Sequence, residues 1–204
     1  MKNDRAYHHG NLAQAILQLA AEIIAEKGIE ALSLRGLARE LGVSHNAPSR
    51  HFQNKAALLS ALATEGWTQA TAATLAAAHA TGSDDAHVRL NAMGRGIVGW
   101  ALSNQAMFRT LYHPDVNRHA SADLVEAMSR FQETVREAVA DTQQDGRHPD
   151  VPLHILTLFT NAVPMGAALL LIDPLLGATN VEDDSTRETL IAGVIDLVVP
   201  LNRA

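Results

Sequence analysis

The sequence predicts an all-α protein, and three observations carry that prediction. Apolar residues recur at helical spacing in almost every segment, as in Leu12, Ile16, Leu17, Ala20, Ile23 and Ile24, or in Leu124, Met128, Phe131, Val135 and Ala138, which gathers them on one face of a helix. No stretch requires the two-residue alternation of a half-buried strand. Residues 33–58, SLRGLARELGVSHNAPSRHFQNKAAL, place two short apolar patterns on either side of Gly42-Val43-Ser44, the spacing of a helix, a tight turn and a second helix. About nine helices are expected in two domains: residues 1–60, opening with an arm over 1–10, and residues 61–204.

The helix-turn-helix stretch has a mechanical reason at each position. Ala38 is small enough for the second helix to cross close by, Gly42 can take the left-handed conformation that ends the first helix, and Ser44 can cap the N–H groups of the next. Leu37, Leu41 and Val43 are the apolar pins. They leave the outer face of the second helix, residues 45–51, free to lie in a DNA major groove. That face carries His45, Asn46, Ser49, Arg50 and His51.

Length and composition bound what surrounds it. At 204 residues with 47% hydrophobic content, the chain can bury a sizeable core in one or two domains. The absence of Cys excludes disulfides, thiolate metal sites and a Cys nucleophile, and suits the cytoplasm. The opening Met1-Lys2-Asn3-Asp4-Arg5 is not followed by an uninterrupted apolar core, so no signal peptide is expected. Residues 1–60 hold seven Lys and Arg against five Asp and Glu, while residues 61–204 hold nine against seventeen, so the net charge of -6 divides into +2 and -8. Attraction to phosphate acts within about 8 Å at physiological salt, so an acidic body is compatible with a local DNA-binding face.

The remaining segments follow in order. Tyr7-His8-His9-Gly10-Asn11 reads as a solvated arm with Asn11 as N-cap, and the adjacent histidines lack the third ligand a metal site needs. The first helix runs from Leu12 to Lys27 and stops at Gly28. After the helix-turn-helix, a long helix runs from Lys55 to about His79 with its N-terminal dipole end beside Lys55. Thr81-Gly82-Ser83-Asp84-Asp85 is a turn ending in an N-cap, and the next helix spans about 85–102. A short helix over 105–112 ends before His113-Pro114, where proline biases its predecessor away from helix. An amphipathic helix covers about 121–144, and the polar stretch 145–150 is a loop. Ile155 to Ile172 is eighteen residues without a formal charge, near the lower limit for a membrane span. Thr157, Thr160, Asn161, Pro164 and Gly166 dilute it, and no basic flank or aromatic belt frames it. It is expected to be an interface helix kinked at Pro164, followed by a last helix over about 185–199. No membrane partner is expected.

With Arg50-His51-Phe52, Lys55 and Leu58 in register after the turn, and Ser33-Leu34-Arg35 before it, the stretch resembles the DNA-binding domain of the tetracycline-repressor (TetR) family. Tyr7 to Leu12, Gly42 to Pro48 and Ala106-Met107-Phe108-Arg109 are most similar to the subgroup with a WHG-type C-terminal domain. The resemblance implies a three-helix DNA-binding domain followed by an all-helical ligand-binding and dimerisation domain. It further implies a sequence-specific repressor that reads a palindromic operator in double-stranded DNA, dimerises through its last two helices and is released by a small-molecule effector. By this analogy His45, Asn46, Ser49 and Arg50 reach base edges or nearby phosphates, and Ser33, Arg35, His51 and Lys55 hold the backbone, with Ser44 at the turn. Two positions depart from the family pattern. Ser49 stands where an aromatic usually precedes the Arg-His-Phe triplet, and Asn161 and Met165 stand at the Trp and His of the WHG name, with Gly166 retained.

A small-molecule pocket needs apolar walls and a few convergent polar groups. The body offers Trp100, Met107, Phe108, Met128, Phe131, Phe159 and Met165, with Asn161 and His113. No HExxH pair, phosphate loop after a strand or nucleophile elbow occurs, so no enzymatic activity, cofactor or metal is expected. The alternative is an all-α ligand- or protein-binding module with a degenerate helix-turn-helix, which salt-dependent DNA binding discriminates.

Overall fold

The computed structural model describes residues 12–118, 120–173 and 184–201, so the expectations for the arm and for Asn11 lie outside the described residues. Among the described residues there are nine α-helices, two single 3-10 turns and no strand. The helices are α1 (Leu12–Lys27), α2 (Leu34–Glu40), α3 (Lys55–Ala80), α4 (Ala86–Ser103), α5 (Gln105–Leu111), α6 (Pro114–Arg118), α7 (Ala122–Gln144), α8 (Leu153–Ile172) and α9 (Asp184–Val198).

Their ends follow the local chemistry. Ser33 caps α2 by accepting Gly36 N–H on its hydroxyl at 3.1 Å, and Asp85 caps α4 by accepting His87 N–H at 2.8 Å and Val88 N–H at 3.3 Å. Asn54 accepts Ala57 N–H at 2.9 Å at the start of α3. Gly42 takes φ +67°, while Val43 N–H reaches Ala38 C=O at 3.0 Å and Gly42 N–H reaches Arg39 C=O at 3.2 Å. This pair of bonds is the Schellman stop, which turns the chain back over the last helical turn.

Two expectations are corrected. Residues 45–51 do not form an α-helix: the stretch is a run of turns with a 3-10 turn at Pro48–Arg50. An α-helix there needs an N–H at position 48 to bond Ser44 C=O, and proline has none; Ala47 N–H takes that carbonyl instead, at 2.9 Å. Ser44 therefore serves through its carbonyl, and the 3-10 turn has no side-chain cap. The second correction is at Pro114, which opens α6 as its first residue, where the missing N–H is an orphan in any helix. α8 continues as one helix on both sides of Pro164.

The chain forms two compact units. One holds residues up to Gly66 together with Ala106–Val125; the other holds Trp67–Gln105 and everything from Glu126 onward. The expected division fell near residue 60, with all of 106–125 in the second domain. In the first unit, Ile16, Ala20, Leu37, Ala38, Phe52, Leu58 and Phe108 are buried. Ser121 N–H donates to the Ser60 hydroxyl at 3.1 Å, and a Cβ on Gly66 would stand 2.8 Å from Leu111 and 2.9 Å from Met107, so α5 lies directly on α3 at Gly66. In the second unit α4 packs on α8 and α9, and α8 packs on α9. A Cβ on Gly96 would stand 2.6 Å from Ala77 Cβ, which marks a close α3–α4 crossing. Trp67 and Phe131 fill the core beside it, ring centroids 5.1 Å apart.

Candidate nucleic-acid interface and effector cavity

The turn and 3-10 element present their polar side chains outward because two apolar anchors hold the other side. Pro48 is buried, Phe52 is 8% exposed, and His51 N–H and Phe52 N–H both bond Pro48 C=O, at 3.0 and 2.9 Å. Ser44, His45, Asn46, Ser49, Arg50 and His51 are all exposed, as are Ser33 and Arg35. Ser33 accepts the cap bond on its oxygen, which leaves its O–H free to donate. Lys55 is half-buried, with Nζ 3.7 Å from Glu30 Oε2. So exposed a pair contributes on the order of 0–1 kcal/mol, and a phosphate can replace the Glu30 carboxylate at small cost.

The nine residues thus lie in one unit and on or beside α2, the turn and the start of α3. A larger concavity of about 680 Å³ opens beside them, between His51, Asn54, Ser60, Glu65 and Asp123. Its two carboxylates and open form distinguish it from an enclosed apolar site.

The second unit contains a small space of about 20 Å³, lined by Leu90, Met93, Gly94, Ile97, Phe131, Val135, Pro164, Ile195, Val198 and Val199 with Thr74, Thr160 and Asn161 as its polar wall. Such a space holds a single water. Of the nine side chains expected to line a pocket, Phe131 and Asn161 do so here. Trp100 and Met165 are buried elsewhere in the unit's core, Met128 is half-buried, and Phe159 is 51% exposed on α8. Met107, Phe108 and His113 belong to the other unit, where His113 Nδ1 accepts Asp115 N–H at 3.3 Å.

Beside this cavity lies a residue that the sequence places in a polar loop. Gly146 takes φ +93°, Gly146 N–H bonds Gln143 C=O at 3.0 Å and Arg147 N–H bonds Thr142 C=O at 2.9 Å. This is again a Schellman stop, and it folds the following residue inward. That residue is ordinarily apolar; here it is Arg147, only 6% exposed. Its Nη2 donates to Val198 C=O at 2.6 Å, Nη1 and Nη2 reach Thr160 Oγ1 at 3.5 Å, and its buried Nε has no partner. Burial pushes the guanidinium below its ordinary pKa. A Gly followed by Arg at the end of a strongly amphipathic helix was the available signal.

An all-helical chain with a helix-turn reading element in one unit and a second, separate helical unit defines a class: helix-turn-helix DNA-binding regulators. Residues 16–62 match the family described as bacterial regulatory proteins, tetR family, and residues 90–193 match the tetracyclin repressor-like C-terminal domain. The chain belongs to the tetR family of bacterial regulatory proteins. Over 50 residues it is 46% identical to the tetracycline repressor protein class C of Escherichia coli, which covers 24% of this chain and 23% of that repressor. Its fold is similar to that of a protein of unknown function from Rhodococcus sp. RHA1, with TM-score 0.76 and 31% identity over 96% of this chain and 100% of the other. It is also similar to PfmR, a TetR family transcriptional regulator from Thermus thermophilus, with TM-score 0.66 and 22% identity over 92% and 99% of the two chains.

Proposed function

We propose that the protein is a cytoplasmic, non-enzymatic, sequence-specific transcriptional repressor that acts as a homodimer on a palindromic operator and is released by a small molecule bound in its C-terminal unit. The single observation that carries the DNA part is the outward-facing set His45, Asn46, Ser49 and Arg50, held on a buried Pro48–Phe52 base and flanked by Ser33, Arg35 and Lys55. Side chains on the turn read base edges and the flanking set holds phosphates. Dimerisation is supported by α8 and α9. Ile155, Leu158, Phe159, Leu169 and Leu170 form an exposed apolar stripe on α8, and Leu197 is 83% exposed on α9. Nothing lies within 4 Å of a Cβ built on Gly166 or Gly193, so a partner helix can approach there closely.

Release follows from a population shift: the effector binds better to the conformation whose two reading elements do not match the groove spacing. Fluorescence anisotropy on selected duplexes at several salt concentrations tests the reading. Sequence-selective binding with a steep negative salt slope is expected; salt-independent or absent DNA binding identifies the chain as a binding module with a degenerate reading element.

A further inference from the structure

Building on the proposal that the C-terminal unit binds the effector, we infer the effector's chemical class: an apolar monocarboxylate, its tail in the α4–α8–α9 cavity and its carboxylate on Arg147. The first support is an unusual charge placement. Arg95, Arg118, Arg130 and Arg136 each pair with a carboxylate, and all four are well exposed. The buried arginine, Arg147, has no ion-pair partner among the described residues. A guanidinium carries five donors in a planar fork; here one makes a good bond, to Val198 C=O, Thr160 Oγ1 stands at the limit of reach, and Nε has no acceptor. Desolvating a cation without a counter-ion is costly, and the C-terminal carbonyl of α9 supplies only a partial negative charge. A carboxylate completes the site, because its two oxygens match the fork.

The second support is position. Both atoms that Arg147 reaches belong to Thr160 and Val198, which line the cavity. The guanidinium therefore sits one hydroxyl behind the wall. Apart from Thr74 and Asn161 the remaining wall, with Leu90, Met93, Ile97 and Phe131, is apolar and suits a hydrocarbon tail. Among the described residues no Lys or Arg lines it, and Arg147 behind the wall supplies a single positive charge, so a monoanion is favoured over a phosphate dianion. The cavity holds about 20 Å³, so the tail must open it. Met93 is the flexible part of the wall, and Pro164 leaves Thr160 C=O without the α-helical bond that would stiffen α8 at that point.

The test uses the full chain with hexanoate, decanoate and 4-phenylbutyrate below micelle concentrations, and with decanol and decyltrimethylammonium as tails without the anion. Thermal shift and calorimetry are expected to show binding of at least one carboxylate about tenfold or more tighter than decanol, and none of the cation. Arg147→Gln keeps donors for Val198 C=O without the charge and is expected to lose carboxylate affinity about tenfold or more, with DNA affinity unchanged. Should that variant fail to fold, Met93→Trp decides: it fills the cavity, leaves Arg147 in place and is expected to abolish binding. The inference is overturned if none of the three carboxylates binds, if decanol binds as well as decanoate, if a folded Arg147→Gln keeps full carboxylate affinity, or, where that variant does not fold, if Met93→Trp leaves carboxylate binding unchanged. Anisotropy on operator DNA is read separately. Arg147-dependent binding without DNA release upholds the ligand class and removes the release mechanism, whereas release by a neutral compound while carboxylates do not bind keeps the mechanism and overturns the class.

Discussion

Lys55 and Asn46 separate two kinds of contact that a single affinity would merge. In the proposed complex Lys55 exchanges a weak pairing with Glu30 for a phosphate, so Lys55→Ala is expected to weaken all duplexes alike and to reduce the salt slope by about 1. Asn46, exposed on the reading turn, donates and accepts in the fork that suits adenine. Asn46→Ala is expected to flatten sequence preference by about 1–3 kcal/mol at one base pair while leaving the salt slope unchanged, as measured by competition with single-base operator variants. Ser33 has a double role. Removing its hydroxyl takes away the α2 cap as well as the proposed phosphate donor, so Ser33→Ala is expected to lower stability by about 1 kcal/mol in urea unfolding in addition to any loss of affinity.

Between helices, two contacts in the second unit give opposite tests of intuition. Alanine is the better helix former by about 1 kcal/mol, yet Gly96→Ala would set a methyl 2.6 Å from Ala77 Cβ and 3.0 Å from Ala73 C=O. Backbone cannot move aside as a side-chain tip can, so a net loss of about 1–3 kcal/mol is expected, read as a lower melting temperature. The α4–α9 contact is polar. Asn91 Nδ2 donates to Asp196 Oδ1 at 2.8 Å and to Val199 C=O at 2.9 Å, and Arg95 Nη2 donates to the same Asp196 oxygen at 2.7 Å. The Asn91 bond first, and then Arg95, hold the Asp196 carboxyl below its usual range. A depressed carboxylate pKa adds stability above the unfolded value, about 3.9, and that stability is lost as pH falls through the folded value. The stability difference between the protein and Asp196→Asn is therefore expected to be flat from neutral pH to about pH 4 and to close below it. Because the pair is nearly half exposed, the plateau should be no more than about 1 kcal/mol.

For the assembled molecule, the apolar stripe on α8 carries the prediction. Leu158 is 70% exposed in the single chain, far from any structural need for a large apolar group. A charge there opposes burial against a second copy and leaves the monomer's core untouched. Leu158→Glu is expected to shift sedimentation at micromolar concentration from dimer to monomer, with an unchanged far-UV spectrum and operator affinity reduced by about tenfold or more, since one reading element then binds without its twin. A stable wild-type monomer at that concentration excludes both the dimer and the half-site symmetry.

Helix content, the Gly42 stop and the outward polar set on the reading turn were legible in the order of residues, because each depends on neighbours within about five positions. Family membership was legible for the same reason, since the matching register of residues 33–58 is local. Pro48 could also have been read locally: its missing N–H forbids the α-helix that the apolar pattern invites. What the order of residues did not contain was pairing across distance. Ala106–Val125 joins the first unit through contacts such as Ser60 with Ser121 and Gly66 with Met107, and no spacing rule links positions so far apart. Side chains that are equally suited to a pocket by type were sorted by the same long-range packing, which lines the cavity with Phe131 and Asn161, and leaves Phe159 exposed. Arg147 looks like an ordinary loop residue until the Gly146 stop turns it inward against Thr160 and Val198. Burial is a property of what packs over a residue, and for Arg147 that covering comes from helices distant in sequence.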